Sequence, residues 1–245
     1  MSLKYQTDDE EPQVEDAETA APSRAPIPLY TSILIASILA VMAAQVAGGL
    51  DGSILIAGFV KPAFLKDHEY WRILTGATTH GSLLHVGMNC YAFYGFGKIF
   101  EMLSNRAHLA IVFLLAAVGG GVLSLIFAPD GISVGASGGI VGLIGYLAVY
   151  AFRRRQFISA EFRKSLLINI GFILIFGLVL YEVIDNFGHI GGLITGAIYG
   201  LVQITRDAHV DPRDANSAVQ FAGLSALGIY IAACVFSILL ILRVI

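Results

Sequence analysis

The serine in this sequence that could act as a nucleophile is Ser137, in the small-residue stretch Gly135-Ala136-Ser137-Gly138-Gly139. A serine hydroxyl is a weak nucleophile until a neighbouring base accepts its proton, and a neutral imidazole is the usual base near neutral pH. His189 is a candidate for that base, because it lies in a second small-residue stretch, Gly188-His189-Ile190-Gly191-Gly192. Together the two residues supply the minimum for acyl transfer through a covalent intermediate.

Strongly polar side chains within apolar segments form three clusters. The clusters are Thr75, Thr78, Thr79, His80, Ser82, His85 and Asn89; Ser137; and Asp185, Asn186 and His189. Such groups are expensive inside a membrane and by default indicate function. All three clusters fall near the same predicted face of the membrane, so we expect them to meet. Hydrogen bonding between helices is the alternative role for each of these side chains.

His85 and Asn89 are four residues apart and therefore share one face of a helix, whereas His80 points elsewhere. A tetrahedral oxyanion needs hydrogen-bond donors, and the backbone N–H of Ser137 could supply one beside the side chains of His85 and Asn89. A zinc helix requires histidines four residues apart with an intervening glutamate, and His80 and His85 do not fit that pattern. The sequence predicts neither a metal nor a cofactor.

Asp185 lies four residues before His189 and could orient the imidazole as a third member of the site. The other interpretation is an acid that faces water at the membrane surface. The residue pattern favours this second role.

Two stripes of glycine predict where the nucleophile and the base come together. One stripe is Gly188, Gly192, Gly196 and Gly200, and the other is Gly138, Gly142 and Gly145. Such stripes let two helix backbones approach closely, so we expect these two segments to pack against each other. Packing explains the glycines, but it does not require a serine at one end and a histidine at the other.

The composition predicts an all-α polytopic membrane protein. Of 245 residues, 56% are apolar and only 13% are charged, and the mean hydropathy is +0.76. Lipid offers the backbone no hydrogen-bonding partner, so the spans must be helical. Seven segments approach the length that crosses ~30 Å of hydrocarbon. They are Leu29–Gly49, Ser82–Leu103, His108–Ala128, Val134–Phe152, Ser165–Tyr181, Phe187–Ile204 and Phe221–Leu242.

The chain divides into four predicted regions. Residues 1–28 form a disordered acidic cytoplasmic tail, because seven of the eighteen acids and four prolines fall there. A six-span core covers 29–205, a cytoplasmic linker covers 206–220, and an additional seventh transmembrane helix covers 221–245. The net charge of −3 excludes a nucleic-acid partner and leaves the lipid bilayer as the expected one.

Basic residues set the predicted orientation, because they concentrate in alternate loops. These residues are Lys98 and Arg106, the arginines and lysine from Arg153 to Lys164, and Arg206 with Arg213. We therefore predict a cytoplasmic N-terminus and a C-terminus on the opposite side of a plasma or inner membrane.

The first outer loop, Leu50–Arg72, is expected to lie in the membrane interface. Taken by themselves, Trp71 and Arg72 are explained as an anchor at the headgroup boundary.

If the fourth helix begins near Ser133, then Ser137 lies ~6 Å below that end at ~1.5 Å per residue.

Across the six-span core, these residues resemble the rhomboid family of intramembrane serine proteases. The matching motifs are Trp71-Arg72 in the first loop; His80, His85 and Asn89 as His-x4-His-x3-Asn; Gly135-Ala136-Ser137-Gly138 as Gly-x-Ser-Gly; and His189 followed by Gly192 and Gly196. The resemblance implies a dyad of Ser137 as nucleophile and His189 as general base, without a catalytic acid. It further implies an oxyanion hole of His85, Asn89 and the Ser137 backbone N–H.

The resemblance also implies supporting roles and a substrate class. The supporting residues are His80, Trp71, Arg72, Gly135, Gly138, Gly188, Gly192 and Gly196. The implied activity is hydrolysis of single-span transmembrane substrates near the outer membrane face. The segment Phe221–Leu242 is then an appended helix with no implied catalytic role.

Two positions depart from the family pattern. Val141 stands where relatives often carry an aromatic ring that stacks on the catalytic imidazole, and Gly188 replaces a common alanine. The first departure keeps open an inactive rhomboid-like protein that binds transmembrane clients. A transporter or channel is disfavoured, because inverted repeats are not evident and charges avoid the span centres.

Overall fold

The computed structural model describes residues 27–207 and 209–245, so residues 1–26 of the predicted tail lie outside the described part. The elements in chain order are α1 (Leu29–Gly48), α2 (Leu50–Ala57), β1 (Phe59–Val60), α3 (Lys61–Lys66), α4 (Arg72–Thr75), α5 (Leu83–Leu103), α6 (Arg106–Phe127), β2 (Ile132–Ser133), α7 (Ser137–Arg153), α8 (Ala160–Val179), α9 (Asn186–Gln203) and α10 (Ser217–Ile241).

Seven long helices occupy the seven predicted segments, with ends that differ by a few residues. Within the described ranges, α1, α6, α8 and α10 are long and apolar enough to cross a membrane, and α7 is an apolar helix of 17 residues. Polar side chains such as His85 and Lys98 interrupt α5, and His189 lies in α9. The prediction of an all-α polytopic membrane protein is confirmed.

The central helix of the bundle is α7, which packs against α5, α6, α8 and α9. Its residues from Gly139 to Leu147 are all buried, because neighbours surround it on every side. In contrast, α8 lies at the edge of the bundle and buries only Leu166 and Gly177. The start of α7 is therefore held by the core of the protein.

The two glycine stripes pack against each other between α7 and α9. A Cβ atom added at Gly196 would overlap the carbonyl oxygen of Gly142, and one added at Gly192 would overlap that of Gly138. Only glycine lets the two backbones come this close. The packing expected from the stripes is thus present.

The C-terminal helix α10 is part of the bundle, where it packs against α1 and α6. Two buried hydrogen bonds tie it to the segment before α5. The Tyr230 hydroxyl donates to the Ala77 carbonyl (2.9 Å), and the hydroxyls of Thr78 and Ser237 lie 2.8 Å apart. The C-terminal helix, which the sequence analysis treats as appended to the core, therefore holds the segment before α5 in place.

The depth estimated for Ser137 assumed a helix start near Ser133, whereas the fourth predicted segment, α7, begins at Ser137 itself. Ser133 belongs to β2, which pairs with β1 in antiparallel register opposite Phe59. Gly135 follows with φ of +120°, a conformation that breaks a helix and favours glycine. Ser137 is therefore the first residue of α7 and does not lie one turn inside the helix.

Candidate active site

Ser137 and His189 lie within hydrogen-bonding distance. The Ser137 Oγ atom is 2.9 Å from the Nε2 atom of His189. Both residues are near the N-terminal ends of their helices, and both line one cavity of about 50 Å³. The close packing of α7 on α9 thus brings together two residues that are 52 positions apart.

Gly135 shapes the segment that leads into Ser137. Its backbone N–H donates to the Gly76 carbonyl (2.9 Å). A Cβ atom at this position would lie 2.9 Å from both Cε1 and Nε2 of His85, in addition to the unfavourable φ. Glycine is therefore required here for two independent reasons.

His85 presents a hydrogen-bond donor to the same place. Its Nδ1 atom accepts from the Gly81 backbone N–H (3.4 Å), which puts the proton of a neutral ring on Nε2. That Nε2 atom lies against Gly135, beside Ser137. The His85 ring can therefore donate to an oxygen bound next to the serine.

Asn89 lies one helical turn from His85 on the same face of α5 and is 6% exposed. Its side-chain amide donates to the His85 carbonyl (3.0 Å), and the second N–H of that amide is available for another acceptor. The backbone N–H of Ser137 is likewise available, because the first residue of a helix has no acceptor within its own helix. The structure thus leaves the second amide N–H of Asn89 and the Ser137 backbone N–H as the donors that the sequence predicted beside His85.

His80 supports the segment before the serine and is fully buried. Its Nε2 atom accepts from the Ala136 backbone N–H (3.4 Å), and its backbone exchanges two hydrogen bonds with the Gln45 side chain (2.9 and 3.0 Å). Burial, and after it a like charge on His85, lowers the pKa of His80 to about 3, which keeps the ring neutral and able to accept.

The interpretation of Asp185 as an acid that only faces water is incomplete, because the residue is half-buried and its carboxylate accepts hydrogen bonds from three groups. Its Oδ1 atom accepts from the Gly188 backbone N–H (2.9 Å) and caps α9. Its Oδ2 atom accepts from the hydroxyls of Ser124 in α6 and Ser133 in β2. The carboxylate therefore joins three elements around the site, because each offers it a donor.

No carboxylate is hydrogen-bonded to the His189 imidazole within the part of the chain that the structure describes. The Nδ1 atom of His189 is buried and has no hydrogen-bond partner there. No aromatic ring of residues 27–207 or 209–245 pairs with this imidazole either. Val141 is buried in α7 and offers only an aliphatic surface.

Backbone packing on both sides of His189 holds the imidazole instead. A Cβ atom at Gly191 would meet the Gly119 carbonyl oxygen at 2.7 Å, and Gly188 and Gly192 lie against Gly120. The glycines next to His189 thus fix the start of α9 between α6 and α7. The position of the ring follows from the position of its helix.

Arg72 is 7% exposed and is not an anchor among lipid headgroups. Its Nη1 atom donates to the carbonyls of Leu55 (3.1 Å) and Gly58 (2.9 Å), and its Nε atom pairs with Glu69. The guanidinium also lies 4.6 Å from the centre of the Trp71 ring. Arg72 therefore holds together the first outer loop, because it bonds to Leu55, Gly58 and Glu69.

Sequence reasoning missed several residues that build this site. They are Gln45, Gly119, Gly120, Gly121, Ser124 and Ser133. A glutamine alone in the first apolar span and three successive glycines in the third were the available signals. The serines carried no such signal, because their role depends on where Asp185 lies.

Comparison with known proteins places this arrangement in a family. A family model described as the Rhomboid domain matches residues 67–206, more than half of the chain. The chain belongs to the rhomboid family. The matched range includes Ser137, His189, His85 and Asn89, and it ends before α10. This rhomboid chain is therefore an integral, multi-pass membrane protein.

Curated rhomboid relatives differ in their stated activity. The chain is 30% identical over 172 residues to "Rhomboid protease GluP" of Bacillus subtilis (69% of this chain, 34% of that protein). It is 31% identical over 146 residues to "RHOMBOID-like protein 6, mitochondrial" of Arabidopsis thaliana (56% and 45%). It is 26% identical over 140 residues to "Inactive RHOMBOID-like protein 8" of the same plant (57% and 40%). The chain spans less than half the length of each of these relatives.

Proposed function

We propose that this rhomboid chain is an intramembrane serine endopeptidase. It hydrolyses peptide bonds of single-span transmembrane substrates near the outer membrane face. The observation that carries the proposal is the 2.9 Å distance between Ser137 Oγ and His189 Nε2. A nucleophile in hydrogen-bond contact with a base is what covalent acyl transfer requires.

The reaction proceeds in two halves through an acyl-enzyme. Ser137 Oγ attacks the substrate carbonyl carbon while His189 Nε2 accepts the hydroxyl proton. The imidazolium then gives that proton to the leaving amine, and the peptide C–N bond breaks. A water molecule, deprotonated by His189, releases the acyl group and restores the Ser137 hydroxyl.

In this mechanism, three hydrogen-bond donors stabilise the oxyanion of each tetrahedral intermediate. They are the Ser137 backbone N–H, the Nε2–H of His85 and the remaining amide N–H of Asn89. The N-terminal ends of α7 and α9 meet here, and their dipoles favour negative charge. Such preorganised donors are each worth about 10²-fold or more in rate.

The position of the dyad indicates where a substrate is cut. Ser137 and His189 lie at the ends of α7 and α9 that are opposite the arginine-rich loop, which the distribution of basic residues assigns to the cytoplasm. A substrate helix must unwind to expose its carbonyl to Ser137. Cleavage is therefore expected at small or helix-breaking residues.

Purified protein in detergent tests the proposal with two readouts. Cleavage of a single-span transmembrane substrate should yield two fragments, and a fluorophosphonate probe should label Ser137 as mapped by peptide mass spectrometry. Preincubation with the probe should block cleavage in proportion to labelling. Fragments formed at an undiminished rate by fully labelled protein would overturn the assignment.

An inactive rhomboid-like protein that binds transmembrane clients is the second candidate. The absence of an aromatic ring on His189 among the described residues, together with an inactive relative, favours it. Such a protein would capture transmembrane helices but leave Ser137 unlabelled by the fluorophosphonate. Labelling without any cleavage across several helical substrates would instead indicate a substrate of another kind.

Asp185→Asn is expected to keep the cleavage rate within about tenfold of wild type, because Asp185 caps α9 and does not touch the imidazole. A triad acid replaced by its amide loses about 10⁴-fold. Asp185→Ala, which removes all three hydrogen bonds, is expected to lower the free energy of unfolding by about 1–3 kcal/mol. Steady-state cleavage and thermal unfolding in detergent measure the two effects, and a 10⁴-fold loss in the asparagine variant would reinstate the triad.

Tyr230→Phe is expected to destabilise the protein by about 1 kcal/mol, since the Ala77 carbonyl loses its buried donor. Ala77 follows Gly76, whose carbonyl holds Gly135, so the cleavage rate should fall as well. Tyr91→Phe is the matched control, because Tyr91 is 86% exposed. Equal unfolding temperatures and equal rates for the two variants would show that α10 does not hold this loop.

A further inference from the structure

A cavity lined by described residues lies at the end of the bundle opposite Ser137. Its volume is about 410 Å³, compared with about 50 Å³ beside the dyad. The lining comes from the C-terminal ends of α5 and α7 and from the linker between α9 and α10. A cavity of this size accommodates a small ligand, and the proposed protease reaction does not use it.

The side chains around this cavity carry net positive charge. Arg154 and Arg213 contribute two positive charges, Asp211 contributes one negative charge, and the sum of these three is +1. His209 also lines the cavity and adds ring nitrogens that can form hydrogen bonds. The cavity therefore favours an anion.

Arg154 is the unusual member of this lining, because it is 1% exposed and poorly paired. In the described residues its guanidinium donates a hydrogen bond from Nη2 to the Val210 carbonyl (2.6 Å), and its Nε atom is buried without a partner. A buried guanidinium whose N–H groups lack acceptors destabilises the folded protein unless an anion binds and accepts their hydrogen bonds. The neighbouring carboxylate is already engaged, since Asp211 accepts three hydrogen bonds from the Arg213 side chain.

The neighbouring arginines show how Arg154 differs from an ordinary structural cation. Arg153 donates to the carbonyls of Leu201 and Ile204 at the end of α9. Arg163 donates to the carbonyls of Arg155 and Ile158. The guanidinium groups of Arg153 and Arg163 thus each bond to two backbone carbonyls, whereas that of Arg154 bonds to one and lies in the cavity wall.

The surroundings of the cavity point to a lipid as the source of the anion. Met102 and Phe157 line it and are 61% and 66% exposed, so apolar side chains border the charged groups. This combination fits a phosphate at the level where headgroups meet hydrocarbon. An arginine guanidinium matches phosphate oxygens with two parallel donors.

We propose that this cavity is a binding site for the phosphate group of an anionic phospholipid, held by Arg154 and Arg213. The acyl chains then lie along Met102 and Phe157. The bound phosphate accepts hydrogen bonds from the Arg154 guanidinium. Because Arg154 also donates to the Val210 carbonyl, the phosphate fixes the linker between α9 and α10. The site is separate from the proposed dyad, and it stabilises the fold whether or not the chain cleaves a substrate.

The test uses the full chain in a neutral detergent and measures its thermal unfolding midpoint. Short-chain phosphatidylglycerol is expected to raise the midpoint in a saturable manner, since it binds the folded state. Phosphatidylcholine with the same chains and inorganic phosphate at the same concentration should raise it much less. The apparent affinity for phosphatidylglycerol should fall about tenfold or more in Arg154→Gln and in Arg213→Gln.

Arg206→Gln is the matched control, because Arg206 is an exposed arginine of the same linker outside the cavity lining. Arg213→Gln keeps the test valid if Arg154→Gln fails to fold, since the Arg213 side chain is 63% exposed. Unchanged affinity in Arg213→Gln, or equal effects of the two lipids, would overturn the proposal. Equal stabilisation by inorganic phosphate would overturn the assignment to a lipid. None of these readouts depends on proteolysis.

Discussion

Replacing Ser137 with alanine is expected to reduce the rate of transmembrane-substrate cleavage by about 10⁴-fold or more. The substitution removes the one hydroxyl within hydrogen-bond reach of His189 Nε2 in the described structure. The substitution leaves the proposed oxyanion donors of His85 and Asn89 unchanged, but no acyl-enzyme can form. Single-turnover cleavage in detergent, with the variant in excess over the substrate, measures the residual rate.

Ser165→Ala serves as the matched control, because Ser165 is an exposed serine of α8 remote from the site, and its rate should equal that of wild type. His189→Asn is expected to lower the cleavage rate by as much as Ser137→Ala does. The double variant should lose no more than either single one, since nucleophile and base act as a unit. Cleavage that survives in Ser137→Ala at a tenth of the wild-type rate or above would refute the proposed nucleophile.

Gly196→Ala is expected to lower the free energy of unfolding by about 1–3 kcal/mol, because the added methyl group would overlap the Gly142 carbonyl. The clash can be relieved only by moving α9 away from α7, and α9 carries His189. A displacement of about 1 Å between reacting groups costs roughly 10²-fold in rate. Thermal unfolding and cleavage in the same detergent measure both losses.

The control for this variant is the same substitution at Gly171 in α8, where an added Cβ atom meets nothing within 4 Å. Alanine favours a helix over glycine by about 1 kcal/mol, so Gly171→Ala should be neutral or slightly stabilising. The cleavage rate of this control should be unchanged. Equal behaviour of the two variants would show that close contact between α7 and α9 does not position the base.

Most of the fold was predictable, because the number and place of long helices follow from hydropathy alone. Each of the seven apolar segments became a helix, and the errors lie at the ends. The start of α7 was the error with consequences for the site. It depends on the pairing of Ser133 with Phe59 and on the conformation of Gly135, which are contacts between segments and within a turn.

The pairing of Ser137 with His189 was predictable from residue types and glycine spacing, and the structure brings the two side chains together. The surroundings of the pair were not predictable. Asp185 was assigned to the water-facing surface, whereas the structure shows it accepting from Ser124 and Ser133. A hydrogen-bond partner that is 50 or more residues away leaves no periodic signal in the sequence.

The sequence by itself determined that this chain is a bundle of apolar helices with a serine and a histidine at one end, because hydropathy and helical periodicity are local properties. Tertiary structure alone decided that glycine packing, and not an aromatic ring or an acid, holds His189 in place. It also decided that α10 supports the segment before α5, which contains Ala77, and that Arg154 lies buried in the wall of a cavity. These outcomes depend on which backbones touch, and that follows from the shape of the whole bundle.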